Sequence, residues 1–73
     1  MTPDEKVETL ADFVTAFRRA LKVDAVDAGN DVRFLRLTYR EGRRITQIGL
    51  DAEDARRLAR LFADWADRVA PRD

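Results

Sequence analysis

The side chains that could carry out acid–base or nucleophilic chemistry in this chain are carboxylates, one tyrosine and two lysines. Cysteine, histidine and serine are absent from the 73 residues. Their absence excludes disulfides, thiolate zinc sites, the usual nucleophiles and imidazole acid–base catalysis. Paired carboxylates catalyse reactions only when a cleft fixes their separation and raises the pKa of one of them. A chain of 8.4 kDa offers little cleft, so we expect no enzyme activity, cofactor or small-molecule substrate.

The densest group of oxygen ligands lies between residues 24 and 31. It consists of Asp24, Asp27, Asn30 and Asp31. Such oxygens suit Ca²⁺ or Mg²⁺, but the spacing does not match an EF-hand loop, because Leu35 occupies its twelfth position. A polar turn, in which Asn and Asp side chains bind the local backbone, explains the same residues. We therefore predict no metal site.

The segment from Val32 to Leu50 carries the clearest charge imbalance, with five arginines and one acid, Glu41. An arginine-rich β-ribbon could enter a DNA groove, or bind single strands by stacking and backbone contacts. The candidate binding residues are Phe34, Arg33, Arg36, Arg40, Arg43 and Arg44. We expect Arg36, Arg40 and Arg43 to share the outer face of a β-hairpin, with Phe34 available for stacking. The alternatives are a solvated strand face, neutralisation by acids of neighbouring elements, or an acidic protein partner. The whole chain has fourteen basic and fourteen acidic residues, so net charge does not decide between them.

A helix is predicted over about 3–22. Thr2-Pro3-Asp4-Glu5 has the pattern of a capping box with proline at the first helical position. Apolar residues then recur at spacings of three and four, which is typical of a helix that faces a core. These residues are Val7, Leu10, Val14, Phe17 and Leu21.

A β-hairpin is predicted over about 32–50, because branched and aromatic residues alternate with polar ones there. We place its two-residue loop at Glu41-Gly42, which pairs Leu37 with Thr46 and sets Leu35, Leu37 and Ile48 on one face. The preceding residues 23–28 fit either an extension of the first helix or a short edge strand, and Val26 favours the strand because it drifts off the helical stripe.

A second helix is predicted over about 52–69, with Asp51 as its N-cap. The expected architecture is a single small α+β domain over residues 1–73. It has the order α-β-β-α, or α-β-β-β-α if residues 23–28 form a strand, with two amphipathic helices packed on one face of an antiparallel hairpin or small sheet. Phe62 and Trp65 lie on the apolar stripe of the second helix, where we expect them to anchor a core or a dimer interface.

So small a core favours association, since about 62% of the chain's surface is buried on folding at this mass. We therefore predict a small non-catalytic protein-interaction or regulatory module that acts as a homodimer. The alternative is a nucleic-acid-binding transcriptional regulator that uses the arginine-rich face of the hairpin. No segment has the roughly 20 apolar residues of a membrane span. The acidic N-terminus does not resemble a signal peptide, so we expect a cytoplasmic protein without membrane partners.

Overall fold

The computed structural model describes residues 5–72, which form one antiparallel sheet of four strands followed by one helix. The elements are β1 (Lys6–Val14), β2 (Ala20–Asp27), β3 (Arg33–Glu41), β4 (Arg44–Leu50) and α1 (Ala52–Val69). The strands lie side by side in chain order, so each is joined to the next by a hairpin. The small α+β class is correct, but the predicted α-β-β-α and α-β-β-β-α arrangements are wrong, because the order is β-β-β-β-α.

The predicted N-terminal helix over about 3–22 is the main error. Residues 6–14 form β1, and the segment from Ala20 onwards begins β2. The capping-box residues Thr2, Pro3 and Asp4 lie outside the described residues. Two helices therefore do not pack on a hairpin; the first half of the chain supplies half of the sheet instead.

A β-bulge in β1 explains why the helical spacing was misleading. Thr9 pairs with Asp24 and Ala11 pairs with Val23, which leaves Leu10 as the extra residue. A bulge shifts the alternation of side chains by one position within a strand. The apolar residues on either side of Leu10 therefore follow no single period of two, and their combined spacing imitates that of a helix.

The segment 23–28, for which the sequence allowed either a helix or an edge strand, is a strand up to Asp27, but it is not at an edge. It belongs to β2, which pairs with β1 on one side and with β3 on the other. Without β1, one side of β2 would present unpaired N–H and C=O groups. This backbone pairing outweighs the helical preference of residues 6–22, because strand propensity depends strongly on the available neighbours.

The predicted hairpin is present as β3 and β4, but its register is shifted by two residues. Its loop is Gly42-Arg43, so Leu37 pairs with Ile48 and not with Thr46. Gly42 has φ 58°, in the left-handed region that glycine adopts without steric cost, and this favours the later loop. A shift of two leaves every strand side chain on its predicted face, because the side-chain period of a strand is two.

The register divides the side chains of the sheet between two faces. Leu37 lies between Val23 and Ile48 on one face, and Asp24 lies between Thr9 and Arg36 on the other. The first, here called the apolar face, carries Ala11, Phe13, Leu21, Val23, Ala25, Leu35, Leu37, Tyr39, Ile48 and Leu50. The same face also carries the polar residues Lys6, Glu8, Asp27, Arg33, Glu41, Arg44 and Thr46. The second, here called the charged face, carries Val7, Thr9, Asp12, Lys22, Asp24, Val26, Phe34, Arg36, Thr38, Arg40, Ile45 and Gln47.

The helix α1 begins directly after β4, and a single residue, Asp51, joins them. The Asp54 N–H donates to Asp51 Oδ1 over 2.8 Å, so Asp51 is the predicted N-cap. Glu53 and Asp54 lie in the first turn and Arg68 in the last, which complements the helix dipole. No helix in the described residues is long and apolar enough to cross a membrane.

The folded chain is far more open than its mass requires. Its accessible surface is 6708 Å², whereas about 4,600 Å² is typical of a compact monomer of 8.4 kDa. Its radius of gyration is 14.7 Å, against about 11 Å for a compact chain of this length. Within residues 5–72, Val26 is the one apolar side chain that is buried, and it is 2% exposed. The single copy thus leaves many large apolar side chains exposed, among them Phe13, Phe17 and Trp65.

Candidate functional site

The helix α1 presents a continuous stripe of apolar side chains that its own sheet hardly covers. The stripe consists of Ala55, Leu58, Leu61, Phe62, Trp65 and Val69. Ala55 and Leu58, near the start of the helix, are half-buried. The last four are 57–64% exposed, and Trp65 is 59% exposed. Phe62 and Trp65 therefore occupy the predicted stripe, but in a single copy they anchor no core.

The apolar face of the sheet is also incompletely covered. Its central side chains, among them Leu21, Val23 and Leu37, are only half-buried. Phe13 and Ile48 are about half exposed. The helix contacts β3 and β4 and neither β1 nor β2, so it does not cover the first two strands. The molecule thus carries two uncovered apolar surfaces, one on the sheet and one on the helix.

A pocket of about 280 Å³ lies where the first turns of α1 meet the sheet. Its lining is predominantly apolar and includes Ala25, Leu35, Leu50, Ala52 and Ala55. Small side chains on the helix leave this space, because Ala52 and Ala55 do not reach the strands as a leucine would. No local sequence pattern indicates the pocket, since residues from β2, β3, β4 and α1 form it together.

The charged face is organised around Asp24, which is 2% exposed. Thr9 Oγ1 donates to Asp24 Oδ1 over 2.8 Å. Asp24 Oδ2 lies 3.7 Å from an Arg36 terminal nitrogen and 4.0 Å from Lys22 Nζ. The other terminal nitrogen of Arg36 lies 3.7 Å from Glu5 Oε1. Charge on this face is thus largely balanced within the chain, and Arg36 is engaged by two acids.

The end of the sheet that carries the β1–β2 and β3–β4 loops is basic. Here Arg18, Arg19, Arg40, Arg43 and Arg44 are opposed by one acid, Glu41, which gives a net charge of +4. We call this set, together with Phe17, the basic end. Phe17 is 87% exposed at the tip of the first loop.

An ion pair joins the β1–β2 loop to the end of β3. Arg19 Nε donates to Glu41 Oε2 over 3.0 Å, and the Tyr39 hydroxyl donates to the same oxygen over 3.3 Å. The hydrogen bond to Glu41, and next the one with Tyr39, raise the pKa of Arg19 above its ordinary value. Arg19 therefore pairs with Glu41, the one acid of the basic end.

The predicted binding residues are distributed between these regions. Arg36 and Arg40 share the charged face as expected, and Phe34 lies on it half-buried beside Gly49. Arg43 lies in the turn and not on a strand face. Arg33 Nε lies 3.7 Å from Asp27 Oδ2. Among residues 5–72, ion pairs engage Arg33 and Arg36, whereas Arg40, Arg43 and Arg44 form none.

Sequence reasoning missed Phe17, Arg18 and Arg19 as members of the basic end. It assigned all three to a helix and named none of them as a binding residue. Arg18 has φ 63° and closes a three-residue loop, in which its N–H donates to Thr15 O over 2.9 Å. The adjacent arginines 18 and 19 were the available signal, but only strand pairing shows that Arg19 meets Glu41.

The oxygen ligands between residues 24 and 31 do not converge. Asp24 lies on the charged face, whereas Asp27 Oδ1 accepts from the Gly29 N–H over 3.0 Å in the loop that follows. Asn30 and Asp31 have φ 53° and 62°, as expected in a tight turn. No group of three or more acids in residues 5–72 is placed to hold a metal ion.

Comparison with known proteins gives one match. A family model described as "Family of unknown function (DUF6967)" matches residues 4–68. No curated protein and no solved structure matches the chain.

Proposed function

We propose that this chain, which belongs to DUF6967, a family of unknown function, is a small non-catalytic interaction module that acts as a homodimer. The observation that supports this proposal is the pair of uncovered apolar surfaces, on the sheet and on α1. Monomeric soluble proteins seldom expose contiguous apolar surface on this scale, and larger patches mark interaction sites.

The amount of exposed surface fits a stable dimer. The accessible surface of 6708 Å² exceeds that of a compact monomer by roughly 2,100 Å². A standard interface removes about 800 Å² from each partner, and obligate homodimers remove more. Each copy therefore has enough surplus surface to form an interface of either size and still remain well hydrated elsewhere.

A second copy is the partner that this surface fits best. In a symmetric dimer both copies present the same patch, so a chain with an apolar helix stripe and an apolar sheet face supplies both sides of the contact. Apolar association also provides the core that one copy lacks, because Val26 is the one buried apolar side chain in residues 5–72. Folding and dimerisation are then coupled, as in many obligate homodimers.

The molar mass in solution tests this proposal. We expect sedimentation equilibrium of the full chain to give about twice 8.4 kDa at micromolar concentration. Dissociation on dilution should be accompanied by loss of circular-dichroism signal, because each copy alone has little core. A folded monomer that persists at hundreds of micromolar would overturn the proposal.

Nucleic-acid binding is a second candidate function, and the basic end is the observation that favours it. Arg40, Arg43 and Arg44 form no ion pair within residues 5–72, and Arg19 neutralises the nearby Glu41. Exposed arginines suit phosphates, and an exposed aromatic such as Phe17 can stack on an unpaired base. For this candidate we propose a contact at the end of the sheet, and not on the face around Arg36.

Charge reversal at matched positions tests the second candidate. The variant Arg40→Glu/Arg43→Glu should weaken binding of labelled single-stranded DNA at least tenfold in fluorescence anisotropy. Two lost phosphate contacts should also reduce the salt slope by roughly 1.4, at about 0.7 per contact for single strands. The control Arg56→Glu/Arg60→Glu changes the net charge equally on α1 and should have a small effect. Equal weakening by both variants, or no binding by the native chain at low salt, would refute this candidate.

A further inference from the structure

The large apolar side chains of α1 and the pocket at its start are complementary in size. The first half of the stripe carries small Ala55 beside the pocket, and the second half carries the bulky Phe62 and Trp65. The pocket of about 280 Å³ is at the lower end of the roughly 300–1,000 Å³ usual for small-molecule sites. Its predominantly apolar walls suit one aromatic side chain.

The pocket cannot be filled by the aromatic residues of its own helix. Ala55 and Trp65 are ten residues apart on a continuous α-helix, a distance of about 15 Å along the axis at 1.5 Å per residue. Trp65 therefore cannot reach a space that Ala52 and Ala55 of the same chain line. A Trp65 side chain that fills the pocket would therefore come from another molecule.

We infer that two copies pair through antiparallel α1 helices, with Trp65 of each copy seated in the pocket of the other. This rests on the homodimer proposed above and assigns its geometry. In an antiparallel pair centred near residue 60, Trp65 lies opposite Ala55 and Phe62 lies opposite Leu58. Each large side chain thus meets a smaller one, which is the arrangement that fills space without overlap. The two-fold symmetry of such a dimer gives two equivalent contacts between Trp65 and the partner's pocket.

The charges of α1 agree with this orientation. The acidic first turn, with Glu53 and Asp54, lies beside the partner's last turn, where Arg68 is the basic residue. Asp54 and Arg68 lie on the same flank of the apolar stripe, so an antiparallel pair brings these opposite charges together at each end of that flank. A parallel pair would place acidic turns next to each other and align the two helix dipoles unfavourably.

The geometry predicts a particular effect of filling the pocket. Ala55→Leu occupies the space from within the chain and should raise the dimer dissociation constant at least tenfold. The control Ala63→Leu adds the same atoms on the opposite face of α1 and should leave dissociation unchanged. Trp65 is the only tryptophan of the chain, so its fluorescence reports directly whether its side chain is buried in the partner's pocket. Its emission should shift to shorter wavelength as the native dimer forms, and Ala55→Leu should reduce this shift.

Exchanging the sizes of the side chains at positions 55 and 65 gives a second test, which remains decisive if Ala55→Leu alone folds poorly. Trp65→Ala should weaken the dimer, and the double variant Ala55→Leu/Trp65→Ala should regain stability, because each site again holds one large and one small residue. Double-mutant coupling of this kind measures a direct contact. If the native chain is a dimer and Ala55→Leu changes neither its mass nor its emission, the antiparallel pairing through Trp65 is refuted, and the homodimer proposal stands. A monomeric native chain would instead overturn the proposed function.

Discussion

Replacing Trp65 by glutamate is expected to raise the dimer dissociation constant at least a hundredfold. Trp65 is 59% exposed in one copy, and the proposed dimer buries it in both copies. Truncating a well-packed interface tryptophan typically costs 2 kcal/mol or more, and each 1.4 kcal/mol is about tenfold. A symmetric dimer loses two such contacts, and the new carboxylate must also be desolvated. Sedimentation velocity over a dilution series measures the change.

The matched control for this variant is Ala63→Glu. Ala63 lies on the opposite face of α1, so its variant introduces the same charge and similar helix propensity without touching the apolar stripe. It should sediment as the native chain does. If both variants dissociate the dimer equally, charge repulsion or loss of helix is responsible, and the stripe is not the interface.

Replacing Asp24 by asparagine is expected to destabilise the fold by about 2 kcal/mol. Asparagine preserves the shape and can still accept from Thr9, but it removes the charge that faces Arg36 and Lys22. Loss of one partner from a fully buried ion pair costs about 3–5 kcal/mol. The expected effect is smaller, because the side chains of Arg36 and Lys22 are 28% and 46% exposed and water partly screens them. Urea unfolding at fixed protein concentration measures the difference.

Asp27→Asn is the control for the buried carboxylate. Asp27 is the other aspartate of β2, its side chain is 44% exposed, and its partner Arg33 is 76% exposed. Asparagine at this position keeps an oxygen that accepts from the Gly29 N–H. An exposed pair of this kind contributes about 0.2–1 kcal/mol, so this control should unfold nearly as the native chain does. Similar urea midpoints for the two variants would show that the network around Asp24 does not stabilise the charged face.

Two elements follow from local sequence, because their signals lie within a few residues. The helix begins after the N-cap Asp51 and ends at Val69, as the apolar spacing predicts. The hairpin follows from alternating residues on either side of a glycine, and the even register error left all its strand side chains on the correct faces. For the same reason Phe62 and Trp65 could be predicted as one apolar stripe.

The rest depended on contacts between distant segments. Residues 6–14 form a strand because β2 needs a partner, and the bulge at Leu10 conceals the alternation that would reveal it. The basic end and the pocket each combine side chains from segments more than ten residues apart, so no local sequence pattern predicts them. Sequence alone thus determined the composition, the absence of common nucleophiles, the hairpin and the C-terminal helix. Tertiary structure decided that the N-terminal half forms part of the sheet and which arginines form ion pairs. It also decided that a single copy leaves its apolar surfaces exposed. Each of these features depends on backbone pairing between distant segments of the chain.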